Sequence, residues 1–124
     1  MGSEQSRAVA EQTITAINER DRGAISRLAA EDIQLRFPPS QVFEGREGVS
    51  AFFDELERRV PNLTLAIRKV YAGDDFAVVE WLSSGSSQGG IETDSLGVVV
   101  MELADGRASR VQLYVDTAQW QTLG

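Results

Sequence analysis

The chain of 124 residues contains neither cysteine nor histidine. Without cysteine the protein can form no disulfide bond and no thiolate metal site. Without histidine it lacks the side chain that most often acts as a general base near neutral pH, and a preferred ligand of zinc and iron. No group of aspartates and glutamates has the spacing of a site for a hard cation. We therefore expect that the protein uses neither a metal nor another cofactor.

Positive charge and long apolar runs are also scarce. Lysine and arginine total 12 against 19 aspartates and glutamates, which gives a formal net charge of -7. Nucleic acid and anionic membranes need net positive contacts, so we expect no partner of either kind. No apolar run approaches the length of a membrane span, and Met1-Gly2-Ser3 does not resemble the start of a signal peptide. These features predict a cytoplasmic protein.

What the chain does contain is enough apolar side chain for one core. Hydrophobic residues make up 42% of a length typical of one domain. The sequence shows no internal repeat and no linker, which predicts a single domain over residues 1–124.

Three helices are predicted in the first half of the chain. Ser3 can cap a helix that runs to about Arg20, and the carboxylate of Asp21 can cap a short second helix. A third helix opens at Gly45–Gly48 and ends at Pro61. Its apolar residues recur with the period of a helix that packs on one face: Val49, Phe52, Phe53, Leu56 and Val60.

Five strands are predicted, the last two joined by the tight-turn sequence Ala104-Asp105-Gly106. We expect this last hairpin to be the centre of a curved sheet. Ser83–Gly90 is rich in serine and glycine, which predicts a hairpin loop or, alternatively, a mobile lid. The predicted strands are Ile33–Phe37, which Pro38-Pro39 ends, a strand starting at Leu63 and ending before Gly73-Asp74-Asp75, Phe76–Ser83, Ile91–Leu103 and Arg107–Asp116.

Helices placed before a run of hairpins are typical of an α+β domain. The helices would pack on one face of a mostly antiparallel sheet and close it into an apolar pocket.

Several short motifs, in this order, resemble the NTF2-like superfamily and its SnoaL-like members most of all. The motifs are Arg20-Asp21, Glu31-Asp32, Phe43-Glu44-Gly45-Arg46, Phe52-Phe53, Asp105-Gly106-Arg107 and Tyr114-Val115-Asp116. The resemblance implies a cystatin-like cone, in which a curved sheet wraps N-terminal helices around an apolar pocket, commonly in a homodimer through the sheet. The superfamily includes ketosteroid isomerases, limonene-type epoxide hydrolases, polyketide cyclases, dehydratases and binding modules. The fold alone therefore does not determine the function.

The catalytic positions of these enzymes are mostly not matched. The ketosteroid isomerase base corresponds to Phe37, its tyrosine falls near Thr13, and its second acid falls within Leu96–Met101, where no acid occurs. The cyclase pair of aspartate and histidine cannot form without histidine. The epoxide hydrolase positions fall near Gln34, Arg36, Glu80, Leu82 and Leu113, and both aspartates are leucine here.

Glu80, Arg36 and Asp116 are the candidate catalytic residues. Glu80 stands in the apolar run from Val78 to Leu82, so it either faces solvent or is buried as an acid or base. If Glu80 were inside, Arg36 would be its counter-charge and Trp81 would face outward, at a dimer interface. Asp116 either caps the last strand or takes part in catalysis.

The candidate ligand contacts are apolar, so the expected partner is an apolar small molecule. On the last strand, alternation and the resemblance together put Val111, Leu113 and Val115 inside. One hypothesis is an isomerase, cyclase, dehydratase or hydrolase that acts on this ligand by acid–base chemistry; the other is a non-catalytic binding or dimerisation module. The full set of candidate contacts is Phe37, Phe53, Trp81, Val99, Met101, Val111, Leu113 and Val115.

Overall fold

The computed structural model describes residues 2–38, 40–86 and 92–115, and only the backbone of residues 92–94. In chain order its elements are α1 Ser3–Glu19, α2 Arg22–Leu28, β1 Ala29–Phe37, β2 Gln41–Glu44, α3 Gly45–Arg59, β3 Thr64–Ala72, β4 Phe76–Ser86, β5 Glu92–Ala104 and β6 Arg107–Val115.

The strands form one six-stranded sheet in the order β2-β1-β6-β5-β4-β3. Every neighbouring pair is antiparallel except β1 and β6, which run parallel. The sheet is curved and does not close, so β2 and β3 are its edges. Helix α3 packs on β1, and α1 packs on β3 and β4. The predicted α+β class, with a mostly antiparallel sheet, is confirmed.

The β5–β6 hairpin lies in the middle of the sheet, as predicted. Ala104 pairs with Arg107 across a two-residue turn. Asp105 has a φ of 53° and Gly106 a φ of 76°. Positive φ at both central residues defines the turn whose twist matches two antiparallel strands, and aspartate followed by glycine tolerates it best.

The helix signals were confirmed at two places and wrong at one. Asp21 caps α2 by accepting a hydrogen bond of 3.0 Å from the backbone N–H of Ala24. Helix α3 buries the predicted Val49, Phe52 and Phe53 against the sheet. Ser3, however, is the first helical residue rather than the cap, because an extended Gly2 holds that position without a side-chain bond. None of the helices in the described ranges has the length and apolarity to cross a membrane.

The strands extend further than predicted. β1 begins at Ala29 rather than Ile33, and an additional edge strand, β2, pairs with it. β4 continues to Ser86 instead of ending at Ser83. Ser83 is fully buried and its hydroxyl donates to the carbonyl of Ser95 at 3.1 Å. Pairing with β5 therefore orders part of a segment whose composition predicted a loop or lid; residues 87–90 of that segment lie outside the described residues.

Candidate functional site

The three helices and the inner face of the sheet enclose an apolar cavity. Its volume is about 80 Å³. Only two of the described residues that line it, Thr13 and Trp81, carry a polar side-chain atom. None of these lining residues is ionisable. The wall of the cavity is therefore almost wholly apolar and carries no charged side chain among the described residues.

Strand alternation puts the candidate ligand contacts on the cavity wall. On β5 these are Val99 and Met101, and on β6 they are Val111, Leu113 and Val115. Phe37 from β1, Phe53 from α3 and Trp81 from β4 complete the predicted set. The structure thus brings all eight side chains to one place, and their role as ligand contacts stays a prediction.

Trp81 and Glu80 lie on opposite faces of β4. The Trp81 side chain lines the cavity and only 3% of the residue is exposed. Glu80 is half-buried on the outer face, where it borders a shallow surface with Arg68, Leu96 and Tyr114. The alternative in which Glu80 is inside and Trp81 is outward is therefore wrong, because Trp81 faces the cavity and β4 pairs with β5 without a bulge, so the neighbouring Glu80 faces the other side.

The expected pairing of Arg36 with Glu80 is wrong as well. Leu35 points to the cavity, so its neighbour Arg36 lies on the outer face of β1. Two strands, β6 and β5, separate β1 from β4. Three strand spacings amount to roughly 14 Å. No ion pair joins the two side chains in the described part of the chain.

Asp116, the third candidate catalytic residue, lies outside the described residues. Its proposed catalytic role stays a prediction.

The sequence analysis missed part of the wall and one useful signal. Ile14 of α1 and Leu65 of β3 line the cavity but were not among the predicted contacts. The signal was Gly97, which pairs with Trp81 across β4 and β5. Glycine inside a strand often marks a close approach by another group, and here that group is the indole of Trp81.

Four aromatic rings pack together at one side of the cavity. The ring of Phe52 lies 5.5 Å from that of Phe37, 5.1 Å from that of Phe43 and 5.1 Å from that of Phe53 between centroids. The three pairs are tilted or edge-on, which is the favoured arrangement for aromatic contacts. This cluster, Phe37, Phe43, Phe52 and Phe53, joins α3 to β1 and β2.

Side-chain hydrogen bonds connect α1 to β3 and α3 to β1. The side chain of Asn18 donates to the carbonyl of Leu65 at 2.9 Å and accepts from its N–H at 2.8 Å. It therefore pairs with the edge strand β3 as another strand would. The Arg46 guanidinium donates twice to the carbonyl of Ala29, at 3.1 and 2.9 Å. These contacts keep the wall residues of α1 and α3 in place.

The charges lie outside the cavity. The guanidinium of Arg22 stands 5.3 Å over the ring of Phe53 and pairs with Glu57 at 2.7 Å. On the exposed side of α3, hydrogen bonds from Arg58 and Arg59 hold the pKa of Glu55 below its usual value. A carboxylate kept ionised in this way is a poor general base.

The outer face of the sheet carries exposed apolar side chains. Leu96 is 63% exposed and Tyr114 is 55% exposed. Tyr71 and Leu82 are also exposed on this face. Such residues suit the expected homodimer through the sheet, which stays a prediction.

The sequence and the fold both match known proteins. A family model described as a SnoaL-like domain matches residues 10–111. No curated protein sequence matches the chain.

Solved structures share the fold over nearly the whole chain. A proposed SnoaL-like polyketide cyclase from Jannaschia sp. CCS1 is 21% identical, with a TM-score of 0.90 over 98% of this chain and 92% of that one. A proposed ketosteroid isomerase from Kribbella flavida DSM 17836 is 27% identical, with a TM-score of 0.77 over 92% of this chain and 79% of that one. TerC, co-crystallized with polyporic acid, is 18% identical, with a TM-score of 0.86 over 96% of this chain and 97% of that one.

Proposed function

Because the chain belongs to the SnoaL-like domain family, we propose that it binds a compact apolar small molecule in the cavity between its helices and its sheet. The observation that carries the proposal is the composition of the cavity wall. Apart from Thr13 and Trp81, every described residue that lines it presents only hydrocarbon or thioether groups.

The physical reason is the poor hydration of such a space. A cavity lined by leucine, isoleucine and phenylalanine stays dry and binds small hydrocarbons. An apolar ligand gains dispersion contacts with the wall and leaves water at the same time. The fold neighbour TerC, co-crystallized with polyporic acid, supports the idea that this fold accommodates a small molecule.

Acid–base catalysis on the bound ligand is the second candidate function. Support for it comes from two fold neighbours, which are a proposed polyketide cyclase and a proposed ketosteroid isomerase. The described lining residues offer no acid or base for such a reaction. Binding is therefore the function that the geometry supports better, and Asp116 is the predicted acid to test if turnover is found.

The test is a titration of the full chain with naphthalene. Binding is measured by calorimetry and by the methyl NMR signals of isoleucine, leucine and valine. We expect saturable binding that shifts the methyl signals of Val99 and Leu113. Val99→Phe should weaken binding at least tenfold, because the added ring occupies the cavity. The control is Val98→Phe, the same change on the preceding residue of β5. Val98 borders the outer surface of the sheet instead of the cavity.

Binding that survives Val99→Phe and is lost in Val98→Phe would place the ligand on the outer face and refute the proposal. Absence of any saturable shift in the unmodified chain would refute it too. Urea unfolding of both variants checks that each is folded, since overpacking a core typically costs 1–3 kcal/mol.

A further inference from the structure

We infer that Leu56 of α3 limits the length of the ligand that the cavity accepts, because its side chain separates the cavity from a second pocket. The inference rests on the function proposed above, since it names the residue that restricts the ligand of that site to a compact molecule. We call the second pocket the outer pocket. Its apolar lining residues come from β1, β2 and α3 and from the residue after α3: Phe37, Phe43, Phe52, Leu56 and Val60.

The first observation is a shared wall. Phe37, Phe52 and Leu56 line both the cavity and the outer pocket. The two spaces therefore lie on opposite sides of the same three side chains. The volume of the outer pocket is about 110 Å³, against about 80 Å³ for the cavity. A ligand confined to the cavity has to be short, whereas a ligand that passes between these side chains can occupy both spaces.

The second observation distinguishes Leu56 from the two rings of the shared wall. The rings of Phe37 and Phe52 pack against each other, with their centroids 5.5 Å apart. Leu56 is partly buried and packs against two separate groups of apolar residues, the main core and the pair Val60 and Leu63. Truncation of Leu56 therefore opens the wall between the two spaces and leaves the ring contact in place.

The third observation is the chemistry of the outer pocket. Val60 is fully buried, so part of the lining is shielded from water. The polar lining residues Gln41, Glu55 and Arg59 are all exposed. Glu55 accepts a hydrogen bond of 2.9 Å from Nε of Arg59, so these two charges already have partners. The outer pocket thus combines an apolar lining with a polar edge at the surface, and an alkyl chain can be buried in it.

A groove between α1 and α2 also borders the cavity, through Leu28. Its lining includes three carboxylates, those of Glu11, Glu19 and Asp21. A hydrocarbon chain placed against these groups would remove water from them without replacing its hydrogen bonds, which is unfavourable. Of the two spaces, the outer pocket is therefore the one that suits an apolar ligand.

The test compares toluene with butylbenzene, which adds three methylene groups to the same ring. Affinities are measured by methyl NMR titration for the full chain, for Leu56→Ala and for the matched control Leu113→Ala. Leu113 is also partly buried, and it lines the cavity but not the outer pocket. In the unmodified chain we expect no preference for butylbenzene. Each methylene group that a site buries raises affinity about fourfold, so the preference should rise roughly 10- to 50-fold in Leu56→Ala and less than about fivefold in Leu113→Ala.

The methyl signals of Val60 report where the alkyl chain lies, because Val60 lines the outer pocket and not the cavity. In Leu56→Ala, butylbenzene should shift these signals and toluene should not. Neither ligand should shift them in the unmodified chain or in Leu113→Ala. Leu56→Val removes less of the side chain and should change the preference in the same direction by a smaller factor, so it decides the question if Leu56→Ala does not fold.

The outcomes separate the two proposals. Equal preferences in Leu56→Ala and Leu113→Ala, without a shift of Val60, would overturn the role of Leu56 while the binding function stands. A strong preference for butylbenzene in the unmodified chain, with a shift of Val60, would overturn that role too, because Leu56 would then not separate the two spaces. Failure of toluene and of naphthalene to bind the unmodified chain would overturn the binding function, and the role of Leu56 with it.

Discussion

Gly97 is the position at which a single methyl group should disturb the cavity most clearly. In Gly97→Ala the new Cβ would lie 2.5 to 2.9 Å from three atoms of the Trp81 indole. Ordinary contacts between such atoms need about 3.5–4.0 Å. The indole is rigid and buried, so it has to move as a whole by roughly 1 Å.

The expected magnitude follows from two opposing effects. Overpacking of a filled site costs about 1–3 kcal/mol. Replacing glycine by alanine in a backbone conformation that alanine tolerates gains about 0.4–1 kcal/mol, because the unfolded chain loses freedom. The φ of Gly97 is not in the left-handed region, so this gain applies. We expect a net loss of about 1–2 kcal/mol in the free energy of unfolding.

Urea unfolding measures this loss, and near-ultraviolet circular dichroism reports the displaced indole. The control is the same substitution in a Trp81→Leu background, where the clashing ring is absent. There Gly97→Ala should be neutral or stabilising by up to about 1 kcal/mol. The difference between the two backgrounds is the coupling energy of the pair. An equal effect in both backgrounds, or a stabilised single variant, would refute the reasoning.

Two further predictions concern the helices. Asp21→Ala removes the acceptor for the N–H of Ala24 and should cost about 1 kcal/mol in urea unfolding, whereas Asp21→Asn should cost clearly less; equal losses would argue against a cap. Hydrogen bonds from Arg58 and Arg59 lower the pKa of Glu55 from its usual 4.5, so this carboxylate stabilises the fold above that pH. Stability curves against pH should therefore show the gap between the parent chain and Glu55→Gln closing as the pH falls below 4.5, and a gap independent of pH would contradict the assignment.

Local signals in the sequence predicted local structure well. Asp105-Gly106 encodes its turn because the two residues tolerate the positive φ that the turn requires. Asp21 encodes its cap because the bond it makes reaches only three residues ahead. The apolar spacing from Val49 to Phe53 encodes the buried face of α3 for the same reason. Each of these features depends on a few consecutive residues.

Features that depend on pairing with another strand were missed. β2 was not predicted, because its four residues have few apolar neighbours and are held by pairing with β1. The end of β4 was misplaced because Ser83 reads as a loop residue until its bond to Ser95 is known. In these cases pairing with another strand overrides local preference.

The orientation of the candidate site posed a third kind of difficulty. Both faces of β4 look alike in the sequence, because the residues around Glu80 are apolar on each side: Val78, Val79, Trp81 and Leu82. The alternation of apolar and polar residues therefore does not indicate which face points to the cavity. The neighbouring strand β5 determines the orientation, because Gly97 leaves room for the indole of Trp81 on the inner face of the sheet. The identity of the eight candidate wall residues could be predicted; the outward position of Glu80 could not.

The parallel ladder between β1 and β6 has a consequence for how the molecule is made. About 70 residues separate the end of β1 from the start of β6. At usual rates of translation a ribosome needs roughly 4–14 s to add them. During that interval the nascent polypeptide can form two sets of paired strands, a β1–β2 hairpin and a β3–β4–β5 meander. No backbone pairing joins the two sets before β6 is made. The cavity between them has no complete wall until β6 inserts between β1 and β5, so the parallel ladder joins the two parts of the sheet late in synthesis.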